Sequence, residues 1–115
     1  MNLNANLAND ILIVRVEDDR IDAACAIQFK EQMRVLIATP SPRVLLDLSQ
    51  VAFLDSSGLG AIVAVMKLLS PDRKLELAGL TPSVEKVMHL TRMNTVLEIH
   101  PTVPDSIRQG FLNAD

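Results

Sequence analysis

Residues 44–69 read VLLDLSQVAFLDSSGLGAIVAVMKLL, and this stretch decides the fold. Val44-Leu45-Leu46-Asp47-Leu48 is apolar at positions that point to both faces of a sheet, the pattern of a buried parallel strand, with Asp47 the exception. Ser49–Leu54 connects it to Asp55-Ser56-Ser57-Gly58, a run of helix-capping residues, and Leu59–Leu69 then predicts a helix. Working outward, Ile11–Val16 (ILIVRV) follows the turn-like Asn9-Asp10 and predicts a second buried strand, with Leu3–Leu7 a short edge strand before it. Between the two strands, Ala26, Phe29, Met33 and Leu36 recur at helical spacing. Asp22 is the expected N-cap of this amphipathic helix, and Pro40 and Pro42 close it.

Beyond residue 69, Ser70-Pro71-Asp72 stops the helix and Lys74–Ala78 (KLELA) alternates as a strand. Thr81-Pro82-Ser83 opens a helix through Val84, Val87, Met88 and Thr91, with Pro82 suited to its first turn. Val96–Ile99 is a last short strand and Val103–Leu112 a final amphipathic helix. Strands and helices alternate throughout. That order predicts a single α/β domain over residues 1–115, with right-handed crossovers and a mostly parallel sheet. In such a sheet the loops after the strands gather at the carboxyl edge, so the segments around 19–22, 49–58 and 79–83 are expected to meet and to carry function.

The chain has 115 residues, 49 % hydrophobic and 22 % charged, enough for one packed core and unlike a disordered segment. Eleven basic against 14 acidic residues give a net charge of −3, and only three phenylalanines are aromatic. That balance disfavours nucleic acid and an anionic membrane as partners, since both reward positive charge and stacking platforms. One cysteine, Cys25, excludes an internal disulfide and a zinc cluster and suggests a reducing compartment. The N-terminus lacks the pattern of a secretory signal, and the run Gly58–Met66 is about half of a membrane span before Lys67 stops it. A cytoplasmic location is expected.

Asp55-Ser56-Ser57-Gly58 puts two hydroxyls and a carboxylate where a helix begins, a place that favours capping side chains and phosphate groups alike. Spacing alone does not separate the two. The helix that follows has no polar face from Leu59 to Met66, so it is either enclosed or meets a partner. Catalytic readings lack parts. Neither serine has the glycines of a nucleophile elbow, and His89 and His100 read as surface or helix-end residues. Gly58-Leu59-Gly60 matches two of three dinucleotide glycines, with Glu76 at a superficially suitable distance, but Val63 fills the third place. Asp18 and Asp47 resemble a phospho-receiver acid set only until their spacing is counted, since a single helix separates them. No catalytic residue, metal site or cofactor is expected, and Asp47 is expected to bond backbone or a serine.

At LDLSQVAFLDSSGLGAIVAVMKLL the sequence resembles a STAS domain of the bacterial anti-sigma factor antagonist (anti-anti-sigma factor) type. The resemblance extends to ILIVRV, Ile21-Asp22, KLELAGLTPSV and the final helix; Asp19 and Arg20 stand where the family commonly has a glycine and an acidic residue. It implies a small mixed sheet with helices packed on it and a non-enzymatic role in transcription regulation. It further implies that Ser56 is the phosphorylated residue, with Ser57 the runner-up. Asp22, Asp55, Ser56, Ser57, Gly58, Leu59, Gly60 and Thr81 would form the partner surface. The implied partners are an anti-sigma factor with serine kinase activity, whose binding frees a sigma factor, and a serine phosphatase that resets the switch. STAS-like folds also serve as small-molecule or nucleotide-binding sensors, and that alternative stays open here.

Overall fold

The structure, a computed structural model, describes residues 1–103. Leu3–Ala8 (β1) and Ile11–Val16 (β2) form an antiparallel hairpin, with Ala8 opposite Ile11. Its two turn residues, Asn9 and Asp10, have φ of 52° and 66°. A tight hairpin needs this left-handed pair, and Asn and Asp tolerate it better than most residues. The chain continues through β3 (Arg20–Ile21), α1 (Ala26–Leu36), β4 (Arg43–Asp47), β5 (Phe53–Leu54) and α2 (Ser56–Leu69). After these come β6 (Lys74–Ala78), α3 (Pro82–Leu90), a 3-10 turn at Met93–Thr95 and β7 (Glu98–His100).

The main sheet runs in the order β1-β2-β4-β6-β7, with every neighbouring pair parallel except the hairpin. It is the expected mixed, mostly parallel sheet. One face carries Leu12, Val14, Val16, Val44, Leu46, Leu75 and Leu77, and all three helices pack there through Phe29 and Met33, Ala61, Ile62, Val65 and Leu69, and Val84 and Met88. Ile11, Ile13, Leu45 and Ala78 form a second apolar cluster on the other face, together with Val103. Burial on both faces explains why ILIVRV and VLLDL read as runs rather than as alternations. It also overturns the alternation expected of KLELA, in which Leu75 to Ala78 are all buried.

Other boundaries differ for local reasons. Asp22 does not cap α1: Cys25 stands at the N-cap, and Asp22 opens the preceding turn by accepting from the Ala26 N–H at 2.8 Å. Phe53 and Leu54, expected in a loop, pair in parallel with Arg20 and Ile21 as a separate two-stranded ladder. The last strand begins at Glu98 rather than Val96, because the 3-10 turn takes up the preceding residues. The helix expected over Val103–Leu112 lies, apart from Val103, outside the described residues.

α2 is apolar nearly all round because it is mostly enclosed. The β3–β5 ladder lies beneath Gly58, the core of the main sheet beneath Ala61, Ile62, Val65 and Leu69, and α1 packs along its flank. Ser56, Ser57, Gly60, Lys67 and Leu68 remain exposed.

Candidate functional site

The loops that follow β2, β4 and β6 do meet at the carboxyl edge, held by named hydrogen bonds. The Ala52 N–H donates to the Asp19 carbonyl at 2.8 Å and the Asp55 N–H to that of Ile21 at 3.4 Å, which lays β5 beside β3. Thr81 Oγ1 donates to the Val51 carbonyl at 2.6 Å and fixes the start of α3 to the same loop.

Asp55 joins these pieces. As the N-cap of α2 it has an extended backbone, and its Oδ1 accepts from the Gly58 N–H at 2.8 Å. Its Oδ2 accepts from the Ala23 N–H at 3.0 Å, across 32 residues of chain. One carboxylate therefore satisfies an orphan donor of the helix and locks the β3–α1 loop against it. Gly58 permits that closeness: a Cβ there would meet the Ile21 carbonyl oxygen at 2.0 Å.

Asp22 sits on the neighbouring turn. Its Oδ1 accepts from the Ala24 N–H at 3.1 Å and from the Cys25 thiol at 3.5 Å, and Arg20 Nη1 lies 3.3 Å from Oδ2. Desolvation pushes its pKa upward, yet the bonds from Cys25, Ala24 and Arg20 outweigh this and hold the carboxyl below its ordinary value. Desolvation and the Asp22 charge push the Cys25 thiol up, away from the reactive thiolate. The Arg20 guanidinium stands 5.8 Å from the centroid of Phe53, a ring that is 48 % exposed.

Ser56 and Ser57 occupy the first turn of α2 and are both exposed. The carbonyl of Asp55 takes the Leu59 N–H and its side chain that of Gly58. The helix start is thus capped without either hydroxyl. Of the remaining residues expected at a partner surface, Gly60 is exposed and open, Leu59 and Thr81 are half-buried, and Gly58 is buried. The fold joins the Asp22 turn to the head of α2 through the Ala23–Asp55 bond, while Thr81 is tied to the neighbouring loop at Val51. Arg20 stands out in the sequence, but its pairing with Phe53 does not, because a two-residue ladder leaves no periodicity to detect.

A second ionic cluster lies away from this edge. Glu76, 1 % exposed on β6, accepts from Arg43 Nε and Nη2 at 2.5 and 2.7 Å and faces His100 Nε2 at 2.7 Å. The Arg43 bonds, opposed by burial and aided by His100, lower its pKa to about 2. Donor atoms of Glu76, Glu98 and His100 come within 4.8 Å of one another. Arg43 and Lys74 already neutralise those carboxylates, so the set reads as an ion-pair network. It corrects the surface reading of His100. Asp47 bonds backbone as expected, accepting from the Ser49 N–H at 2.9 Å. Among the described residues, no helix is long and apolar enough to cross a membrane.

Comparison with known proteins places this geometry in a family. The STAS domain family matches residues 2–106. The anti-sigma-B factor antagonist of Listeria monocytogenes is 31 % identical over 80 residues, 69 % of this chain and 70 % of that protein. A crystal structure of an anti-sigma factor antagonist from Mycobacterium paratuberculosis superposes with a TM-score of 0.82 at 23 % identity, covering 95 % of this chain and 92 % of the other. A sulfate transporter family protein from Wolinella succinogenes shares the fold at a TM-score of 0.74 and 13 % identity, over 94 % of this chain and 90 % of that one. On the family match and the Listeria relative, the chain belongs to the STAS domain family and, within it, to the anti-sigma factor antagonists.

Proposed function

We propose that this protein is a non-catalytic, cytoplasmic partner switch in transcription regulation, binding an anti-sigma factor with serine kinase activity while Ser56 is unmodified and releasing it once Ser56 is phosphorylated. A serine phosphatase resets the switch. The observation that carries this reading is the division of labour at the head of α2. Asp55 supplies the side-chain cap through the Gly58 N–H, and the adjacent Ser56 hydroxyl is left exposed on a helix start that does not use it. A phosphoryl group adds roughly −1.5 to −2 charge there, which the positive end of the helix tolerates without unfolding. The same charge opposes a partner seated over Ser56 and Asp55, because burying it unpaired costs several kcal/mol, and each ~1.4 kcal/mol is tenfold in affinity.

Phosphopeptide mass spectrometry, after incubation with the cognate kinase and ATP, tests the assignment. Phosphate on Ser56 supports it. Phosphate confined to Ser57, or absent from both serines, refutes it.

A further inference from the structure

The two edges of the main sheet are built differently. β7 is three residues long, carries Glu98 in an ion pair with Lys74, and runs directly into Pro101. Each of these features discourages a further strand. β1, at the opposite edge, is six residues of LNANLA with no charge and no proline. A neutral edge of that length is a template for another strand.

The pairing of β1 with β2 determines which of its backbone groups face outward. The hairpin closes on Ala8 opposite Ile11, and near its far end the Asn2 carbonyl accepts from the Glu17 N–H at 2.8 Å. Hydrogen-bonded pairs alternate in an antiparallel ladder, so even-numbered residues bond to β2. The N–H and C=O groups of Leu3, Ala5 and Leu7 therefore point to the open edge. The same three residues pair with Val16, Val14 and Leu12, whose side chains belong to the helix-covered face. Leu7 is 51 % exposed, and a groove of about 670 Å3 runs between β1 and α1, lined half by Met1, Leu3, Val35 and Leu36 and half by polar residues that include Glu17 and Glu31.

The strand itself points to the occupant. Leu3-Asn4-Ala5-Asn6-Leu7 reads the same in both directions, and a two-fold interface needs a surface complementary to itself. We infer that β1 is a self-association edge, on which a second copy of this chain adds its own β1 antiparallel about an axis at Ala5. Leu3 then faces the other copy's Leu7, Ala5 faces Ala5, and Asn4 faces Asn6. Only the outward groups of Leu3, Ala5 and Leu7 bond, which gives about six hydrogen bonds across the axis. A one-residue slip would oppose outward groups to groups already paired with β2, and a two-residue slip would keep only two of the three outward pairs within β1, so the register centred on Ala5 makes the most bonds. The leucines meet on the helix-covered face, with Leu3 at the margin of the groove, and the asparagine amides pair on the other. No residue of the Ser56 cluster takes part, so this inference and the proposed function stand or fall separately.

Sedimentation equilibrium of the full chain, with Ala5→Pro and Leu7→Lys alongside, tests it. Proline at residue 5 removes an outward N–H and leaves the β2 ladder intact; far-ultraviolet circular dichroism checks that both variants are folded. The expected result is a wild-type dimer, with each variant dissociating at least about tenfold more readily. Amide exchange at Ala5 should slow as wild-type concentration rises. A wild-type monomer at every concentration, leaving the edge to a strand from a different protein, overturns the inference. So does a dimer that both variants preserve.

Discussion

Gly58 lies so close to Ile21 that a Cβ on it would sit 2.0 Å from the Ile21 carbonyl oxygen and 2.7 Å from Leu54 Cδ1. Backbone meets backbone there, so no side-chain rotation relieves the clash. Two residues on, Gly60 has nothing within 4 Å of the same position. Gly58→Ala is expected to destabilise the fold by about 3 kcal/mol or more, since overpacking costs roughly 1–3 kcal/mol even where neighbours can shift. Gly60→Ala should stabilise it by up to ~1 kcal/mol through helix propensity. Urea unfolding of both variants separates the two glycines of one motif, and equal effects would contradict the close approach.

Asp55→Ala removes both the helix cap and the tie to Ala23. The first loss costs about 1 kcal/mol and the second a similar amount, so about 2 kcal/mol is expected in chemical denaturation. Amide exchange should accelerate at Gly58 and Ala23 together. Acceleration at Gly58 alone would mean that the link to the β3–α1 loop does not hold in solution.

Ser56→Ala should leave stability within about 0.5 kcal/mol of wild type, because the residue is exposed and its hydroxyl is not used by the fold. The anti-sigma factor should bind this variant without regulation by its kinase. Ser56→Asp should bind more weakly, though less weakly than the phosphorylated protein, since one carboxylate carries less charge than a phosphate. Titration calorimetry of the three forms against the purified anti-sigma factor decides it; equal affinities would remove the switch.

Glu76 predicts an acid limb in the stability profile. Its pKa is lowered from 4.5 to about 2 in the folded protein, chiefly by Arg43. The stabilisation is therefore complete above the unfolded value and is lost as pH falls from about 4.5 towards 2. By linkage it amounts to about 3 kcal/mol. Glu76→Gln should flatten that limb and lower stability at neutral pH, as read by urea midpoints across the range. An unchanged acid limb in the variant would assign it to other carboxylates.

Arg73 is a fourth structural tie. Its guanidinium donates to the carbonyls of Ile37, Thr39 and Ser41 at 2.5, 2.9 and 2.6 Å, and to Ser41 Oγ at 3.0 Å, closing the α1–β4 loop. Arg73→Lys keeps the charge but cannot reach four acceptors from one plane. A loss of about 1–3 kcal/mol is expected, with the loop at residues 37–41 exchanging faster. Full rescue by lysine would show that charge rather than geometry matters.

Local pattern was enough to locate every α-helix among residues 1–103 and every strand of the main sheet, although α2 starts at Ser56 rather than at Leu59 and the 3-10 turn at Met93–Thr95 was not expected. Such elements arise from turn chemistry, apolar runs and periodicity, all of which are written in neighbouring residues. Asn9-Asp10 announced its hairpin, and Asp55-Ser56-Ser57-Gly58 announced a helix start, whereas the exposure of the two serines came only from the structure. Contacts between distant segments were not legible in the same way. The β3–β5 ladder is two residues long, Asp22 gave up the cap of α1 to a turn, and the bond from Ala23 to Asp55 spans 32 positions. Gly58 showed the same limit: in sequence it reads as one of a run of capping residues, whereas packing against the Ile21 backbone makes it indispensable. Buried Glu76 looked like one polar member of an alternating strand until the sheet brought Arg43 and His100 to it. Chain order alone carries short-range energetics. Which carboxylate is locked, which hydroxyl is left free and which edge stays open depend on long-range packing, because only the closed sheet brings those groups within bonding distance.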